Sequence, residues 1–194
     1  MIVKPSAESL AAAATQAAKQ AGKRGLPPVE RWNPPFCGDI DMRIARDGTW
    51  FYLGTPIGRP ALVRLFSTIL KREGDAYFLV TPSEKVGIRV DDAPFVAVDF
   101  SATGKGEGQV LTFETLTGDS AAAGPDHALR VERAPDGEPS PYIHIRRNLE
   151  ALIDRKSFYR LVELGVHAPW QGESWFGVWS GGAFFPVVPS SDLV

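Results

Sequence analysis

Tyr142, His144 and Arg146 occupy alternate positions of the segment PYIHIR. In an extended chain this spacing puts a phenol, an imidazole and a guanidinium on one face, with Ile143 and Ile145 on the other. Such a row can grip a planar anion, because a guanidinium forks onto carboxylate or phosphate while aromatic rings stack. A plain solvent-facing sheet surface shows the same residue types. Earlier in the chain Asp39, Asp41 and Arg43 alternate with Ile40, Met42 and Ile44. Their two carboxylates can hold a divalent cation, or work with His144 as an acid–base pair. Two carboxylates at this spacing are also common on exposed strands. These six residues, Asp39, Asp41, Arg43, Tyr142, His144 and Arg146, are the candidate ligand contacts.

Other residues carry less chemistry. Cys37 is the single cysteine, so no disulfide closes within the chain, and a reducing cytoplasm is the expected setting. Its neighbours Asp39 and Asp41 disfavour a thiolate, which leaves Cys37 as a small residue at a strand entrance. His127, His144 and His167 lack the short spacings of a zinc site. The run Gly104-Lys105-Gly106-Glu107-Gly108 looks like a phosphate cradle, but that chemistry needs a helix after the loop. The following QVLTF reads as a strand, so the run is a hairpin tip. Trp170, Trp175 and Trp179 either line a groove or fill the core of a glycine-rich sheet. No nucleophile elbow, catalytic triad or dinucleotide fingerprint is present. No residue is therefore assigned a catalytic role, and no metal or cofactor is expected.

The elements that must position these residues follow from periodicity and turn chemistry. The alanine-rich start predicts a helix over Ala7–Ala21, capped by Ser6 and stopped by Gly22. Its alanines offer little to bury, so it is expected to attach loosely. Asp47-Gly48 joins the strand through Ile40–Ile44 to TWFYLG as a hairpin. Pro60 opens a helix whose Leu62, Leu65, Phe66, Ile69 and Leu70 share one face, with Lys71 and Arg72 in its last turn. AYFLV and VGIRV form a second hairpin, and FVAVDFS with QVLTFETL a third. HALRVER and PYIHIR pair around Asp136-Gly137. Asn148 caps a helix through Leu149, Leu152 and Ile153 that breaks near Ser157, and SWFGVW with AFFPVV close the chain.

Matching offsets between the two halves predict an internal duplication. The expected fold is α+β: two duplicated strand–strand–helix–strand–strand units with antiparallel sheets, preceded by an N-terminal helix. The expected division is 1–31 for the helical extension and linker, 32–116 for the first unit with an extra hairpin, and 117–194 for the second. Residues 1–31 carry five basic and two acidic side chains, while the remainder holds 16 basic and 21 acidic. A mildly acidic body argues against broad phosphate-backbone binding, and no apolar run reaches the length of a membrane span.

The strings WNPPFCGDIDMRIARDGTWFYLGTPIGRPALVRLFSTIL, FLVTPSEKVGIRVDDAPFVAV and PYIHIRRNLEALIDRKSFYRLVEL resemble the bacterial domain of unknown function 1285 family. That resemblance covers nearly everything after residue 31. It implies a cytoplasmic bacterial protein with repeated α+β motifs and a proposed link to signal transduction, and it brings no reaction or catalytic residues.

Residues and resemblance together point to a non-catalytic regulatory or sensing module that binds a small ligand or a protein partner in the cleft between the two repeats. Neither a membrane nor a nucleic acid is an expected partner. Two alternatives stay open: a hydrolase- or transferase-type enzyme using His144 with Asp39 or Asp41, and a protein-interaction scaffold.

Overall fold

Alanine content and a serine cap make the first helix, α1 (Ala7–Ala21). Ser6 Oγ accepts the backbone N–H of Ser9 at 3.1 Å, which satisfies one of the helix's orphan donors. Its expected stop, Gly22, lies outside the described residues, which are 5–21 and 25–193 of the computed structural model. The helix is not loosely attached. Leu10, Ala14 and Ala17 are buried, and the helix packs on α2 (Pro60–Thr68).

Two compact units divide the chain, Met1–Asp92 and Ala93–Val194. In the first, six strands form one sheet: β1 (Phe36–Ile44), β2 (Trp50–Tyr52), β3 (Thr55–Pro56), β4 (Leu70–Glu73), β5 (Ala76–Val80) and β6 (Lys85–Val90). Their order is β3-β2-β1-β6-β5-β4. Every neighbouring pair is antiparallel except β1 and β6, which run parallel. The β1–β2 turn forms as its Asp-Gly pair dictates, with Thr49 N–H donating to Asp47 Oδ1 at 2.9 Å. Met42, Ile44, Trp50, Leu79 and Val86 are buried on the core face. There Trp50 stacks on Phe66 of α2 at 6.3 Å.

The second unit begins with β7 (Phe95–Thr103), β8 (Val110–Thr115) and β9 (Ser120–Ala122), followed by β10 (Leu129–Arg133), β11 (Pro139–Arg146) and β12 (Leu149–Ile153). These six strands order as β10-β11-β12-β7-β8-β9, again with one parallel pair, β7 and β12. Next come α3 (Arg155–Val162) and a separate antiparallel sheet of β13 (Val166–Trp170), β14 (Glu173–Ser180) and β15 (Ala183–Pro189). The hairpin that the sequence groups with the first half, β7 and β8, is built into this second sheet.

The α+β scheme needs correction. The described residues hold fifteen strands and three α-helices, so the fold is mostly β, and its two large sheets are mixed rather than antiparallel. The expected helix from Asn148 is absent. Leu149, Ala151 and Ile153 are buried while Glu150 and Leu152 are half-buried, a period of two that makes Leu149–Ile153 a strand. The helix starts six residues later, where Asp154 Oδ1 accepts Ser157 N–H at 2.8 Å. Ser157 therefore belongs to a capped first turn and not to a kink. Likewise α2 stops at Thr68, and Lys71 and Arg72 lie on β4.

Repetition survives in another register. In both large sheets two three-strand meanders are joined by a parallel pair between the first strand of one and the last strand of the other. The matching elements are β1–β6 and β7–β12. The α3–β15 segment is an addition, not half of a repeat.

Candidate functional site

The first unit carries a solvent-open groove of about 450 Å³ on the sheet face opposite its core. Two glycines make it. Register pairs Phe36 with Lys85, Asp39 with Gly87, and Phe78 with Gly87, so these five residues share one face. Phe36 and Asp39 are three apart and would point to opposite sides of a regular strand. A shift of register between them, with Gly38 at φ +93°, inserts the extra residue of a bulge and turns both inward. Gly87 supplies the floor. A Cβ there would lie 2.0 Å from Asp39 Oδ1, so the missing side chain is what lets the carboxylate rest over β6.

The walls are aromatic and charged. Phe36, 55% exposed, meets Phe78 edge-to-face at 6.1 Å. The Lys85 ammonium lies 4.7 Å from the Phe78 ring centroid and 3.0 Å from Glu73 Oε2. Lys71 approaches the other oxygen of Glu73 at 3.3 Å. The hydrogen bond from Lys85, helped by Lys71, holds the Glu73 carboxyl below the usual carboxylate range. Asp39 has no hydrogen bond or ion pair among the described residues. The groove thus presents an uncommitted carboxylate and an ammonium that are not paired with each other.

Of the six residues singled out by spacing, Asp39, Asp41 and Arg43 belong to the first unit, and only Asp39 lines the groove. Asp41 is exposed on the same strand. Arg43 lies 4.8 Å from the Phe51 ring centroid and 3.6 Å from Asp91. Tyr142, His144 and Arg146 belong to the second unit, on β11, where neighbouring groups already engage each of them. The Arg130 guanidinium covers the Tyr142 ring at 4.3 Å and binds both oxygens of Glu150 at 2.7 Å. Those bonds raise the Arg130 pKa further. His144 places Nδ1 3.0 Å from the Asp126 carbonyl and Nε2 2.5 Å from the Arg147 carbonyl, with the His127 ring stacked at 5.4 Å. Arg146 is ion-paired with Asp119 and lies 4.7 Å from the Phe95 ring centroid. Burial pushes its pKa down to about 10, still high enough for a full charge at neutral pH.

The remaining chemistry-bearing residues have structural neighbours. Cys37 Sγ donates to the Pro35 carbonyl. Trp170 and Trp175 meet edge-on at 5.2 Å, and Trp179 packs on Phe184. The glycine-rich run is an exposed tip between β7 and β8. A contact that spacing does not suggest links His167 Nδ1 to Ser190 Oγ at 2.8 Å and Ser190 to Ser174 at 2.9 Å, all near the surface. Among the described residues no group of three or more His, Cys, Asp or Glu side chains could hold a metal ion, and no helix is long and apolar enough to cross a membrane.

The sequence reading missed Phe36, Lys85 and Gly87. The signal was there: a glycine inside a strand pattern, at Gly38 and again at Gly87, marks a bulge or a close approach.

Comparison with known proteins agrees with the division into two units. The N-terminal domain of the DUF1285 domain of unknown function matches residues 27–93, and the C-terminal domain of the same family matches residues 94–187. None of the curated proteins matches the chain. A crystal structure of a DUF1285 family protein from Silicibacter pomeroyi DSS-3 is 61% identical over 93% of this chain and 97% of that one, with a TM-score of 0.82. A second, from Shewanella baltica OS155, is 31% identical over 63% of this chain and 90% of that one, with a TM-score of 0.50. Two family models that together span most of the chain, and a solved relative of that identity, establish that the protein belongs to the DUF1285 family, whose function is unknown.

Proposed function

We propose that the protein is a non-catalytic regulatory or sensing module, working in the cytoplasm as part of a signalling route, whose small-ligand site is the groove of the first unit. One observation carries this reading: Asp39 lies in an aromatic groove with no partner among the described residues. Asp39 is exposed to water, so a ligand can take this carboxylate beside an exposed phenylalanine without breaking any internal contact among the described residues. The reading needs only the first unit. The competing enzyme reading requires an accessible nitrogen on His144, and both of its ring nitrogens face backbone carbonyls.

A thermal-shift screen of metabolites, nucleotides and divalent metals tests the proposal, run on the protein and on Phe36→Ala. At a hundredfold excess over Kd, a ligand adds about 2.7 kcal/mol, a rise of roughly 5–10 °C for a chain of this size. The expected result is a hit that stabilises the protein, is not consumed, and loses its effect in Phe36→Ala without a change in basal Tm. An absence of hits, with a partner protein co-purifying, would favour the scaffold reading instead. Turnover abolished by His144→Ala would favour the enzyme.

A further inference from the structure

We infer that the groove of the first unit recognises a small zwitterion with an apolar body, of the class of a free amino acid with an aromatic or branched side chain. The inference rests on the groove being a ligand site and goes further by naming the ligand's chemistry. Asp39 and Lys85 carry opposite charges, line one groove, and are not paired with each other. Oppositely charged side chains that share an open groove usually neutralise one another. Here each is held back by its own constraint: Asp39 over the bare backbone of Gly87, and Lys85 by Glu73 and the Phe78 ring.

A molecule that carries both signs, an ammonium and a carboxylate on one carbon, can meet both groups at once. Its ammonium meets Asp39, and its carboxylate takes the donors of Lys85 that Glu73 leaves open, since an ammonium has three. The apolar body lies against Phe36 and Phe78, which both line the groove and meet edge-to-face. A lone cation would satisfy Asp39 but leave the open donors of Lys85 unmatched. A lone anion would have Asp39 to overcome. Only the zwitterion meets both groups with attractive contacts.

Calorimetric titration of the full chain tests this with five probes: L-phenylalanine and L-leucine, and then phenethylamine, isoamylamine and 3-phenylpropanoate, which each carry a single charge. The expected result is binding of at least one amino acid, at least tenfold tighter than the singly charged analogues. Asp39→Asn and Lys85→Gln should each weaken that binding at least tenfold, with an unchanged circular-dichroism spectrum. Phe36→Ala, which removes no charge, should weaken all binding probes together and guards against a charge variant that misfolds. Two results would overturn the inference: no heat from either amino acid up to about 10 mM, well above weak millimolar affinity, or equal binding to Asp39→Asn. Tighter binding of an amine alone, lost in Asp39→Asn, would also overturn it while leaving the groove a ligand site. Failure of the wider thermal-shift screen would remove the site itself.

Discussion

Arg146 shows why residue type and spacing mislead when burial is unknown. A guanidinium on a strand with a tyrosine and a histidine reads as an anion clamp. In the fold its side chain is 11% exposed and paired with Asp119, itself only 17% exposed. A pair this buried is weak evidence of net stability, but removing one member takes away the other's buried counter-charge. Asp119→Asn should therefore destabilise the second unit by about 3 kcal/mol, measured by urea denaturation. A loss under about 0.5 kcal/mol would mean that water reaches the pair as it does a surface one. Asp39 makes the opposite case. Its exposed, alternating position gives it no more chemical promise than Asp41, and only the floor of Gly87 and the wall of Phe36 set it apart. Phe36 was invisible as a partner because the bulge at Gly38 reverses the alternation on which face assignments depend.

At the scale of elements, local chemistry was legible and ambiguous short runs were not. The Asp47-Gly48 and Asp136-Gly137 turns, the Ser6 cap and the Pro60 start are written in neighbouring residues, and each forms as read. LEALI was misread because five residues satisfy a helical and an extended period equally, and its strand state is decided by distant partners in β7 and β11. For α1, composition understated attachment. Its alanines bring the backbone close to α2, and its single leucine, Leu10, is fully buried. Leu10→Ala should cost roughly 2–5 kcal/mol and loosen the helix, read as faster amide exchange over Ala7–Ala21. An effect no larger than that of an exposed substitution would show that the helix contributes nothing to the first unit.

For the whole molecule, the informative contacts are the least local. Phe36 pairs with Lys85, and Phe95 with Ala151, joinings that no window of adjacent residues can reveal. The true repeat, two meanders closed by a parallel pair, was for that reason read in the wrong register. Because β6 is central in its sheet, proline is not tolerated in it. Val86→Pro should abolish amide protection over β1–β6 while β7–β12 keep theirs, followed by hydrogen exchange with mass spectrometry. Simultaneous loss in both would show that the two units unfold as one. The closing pair also sets an order on biosynthesis. Each sheet starts with the strand that must wait longest for its second neighbour, so β1 and later β7 leave the ribosome with one edge open until β6 and β12 arrive. That edge is a template for other nascent chains, and the speed of translation through residues 45–85 sets how long it stays unguarded.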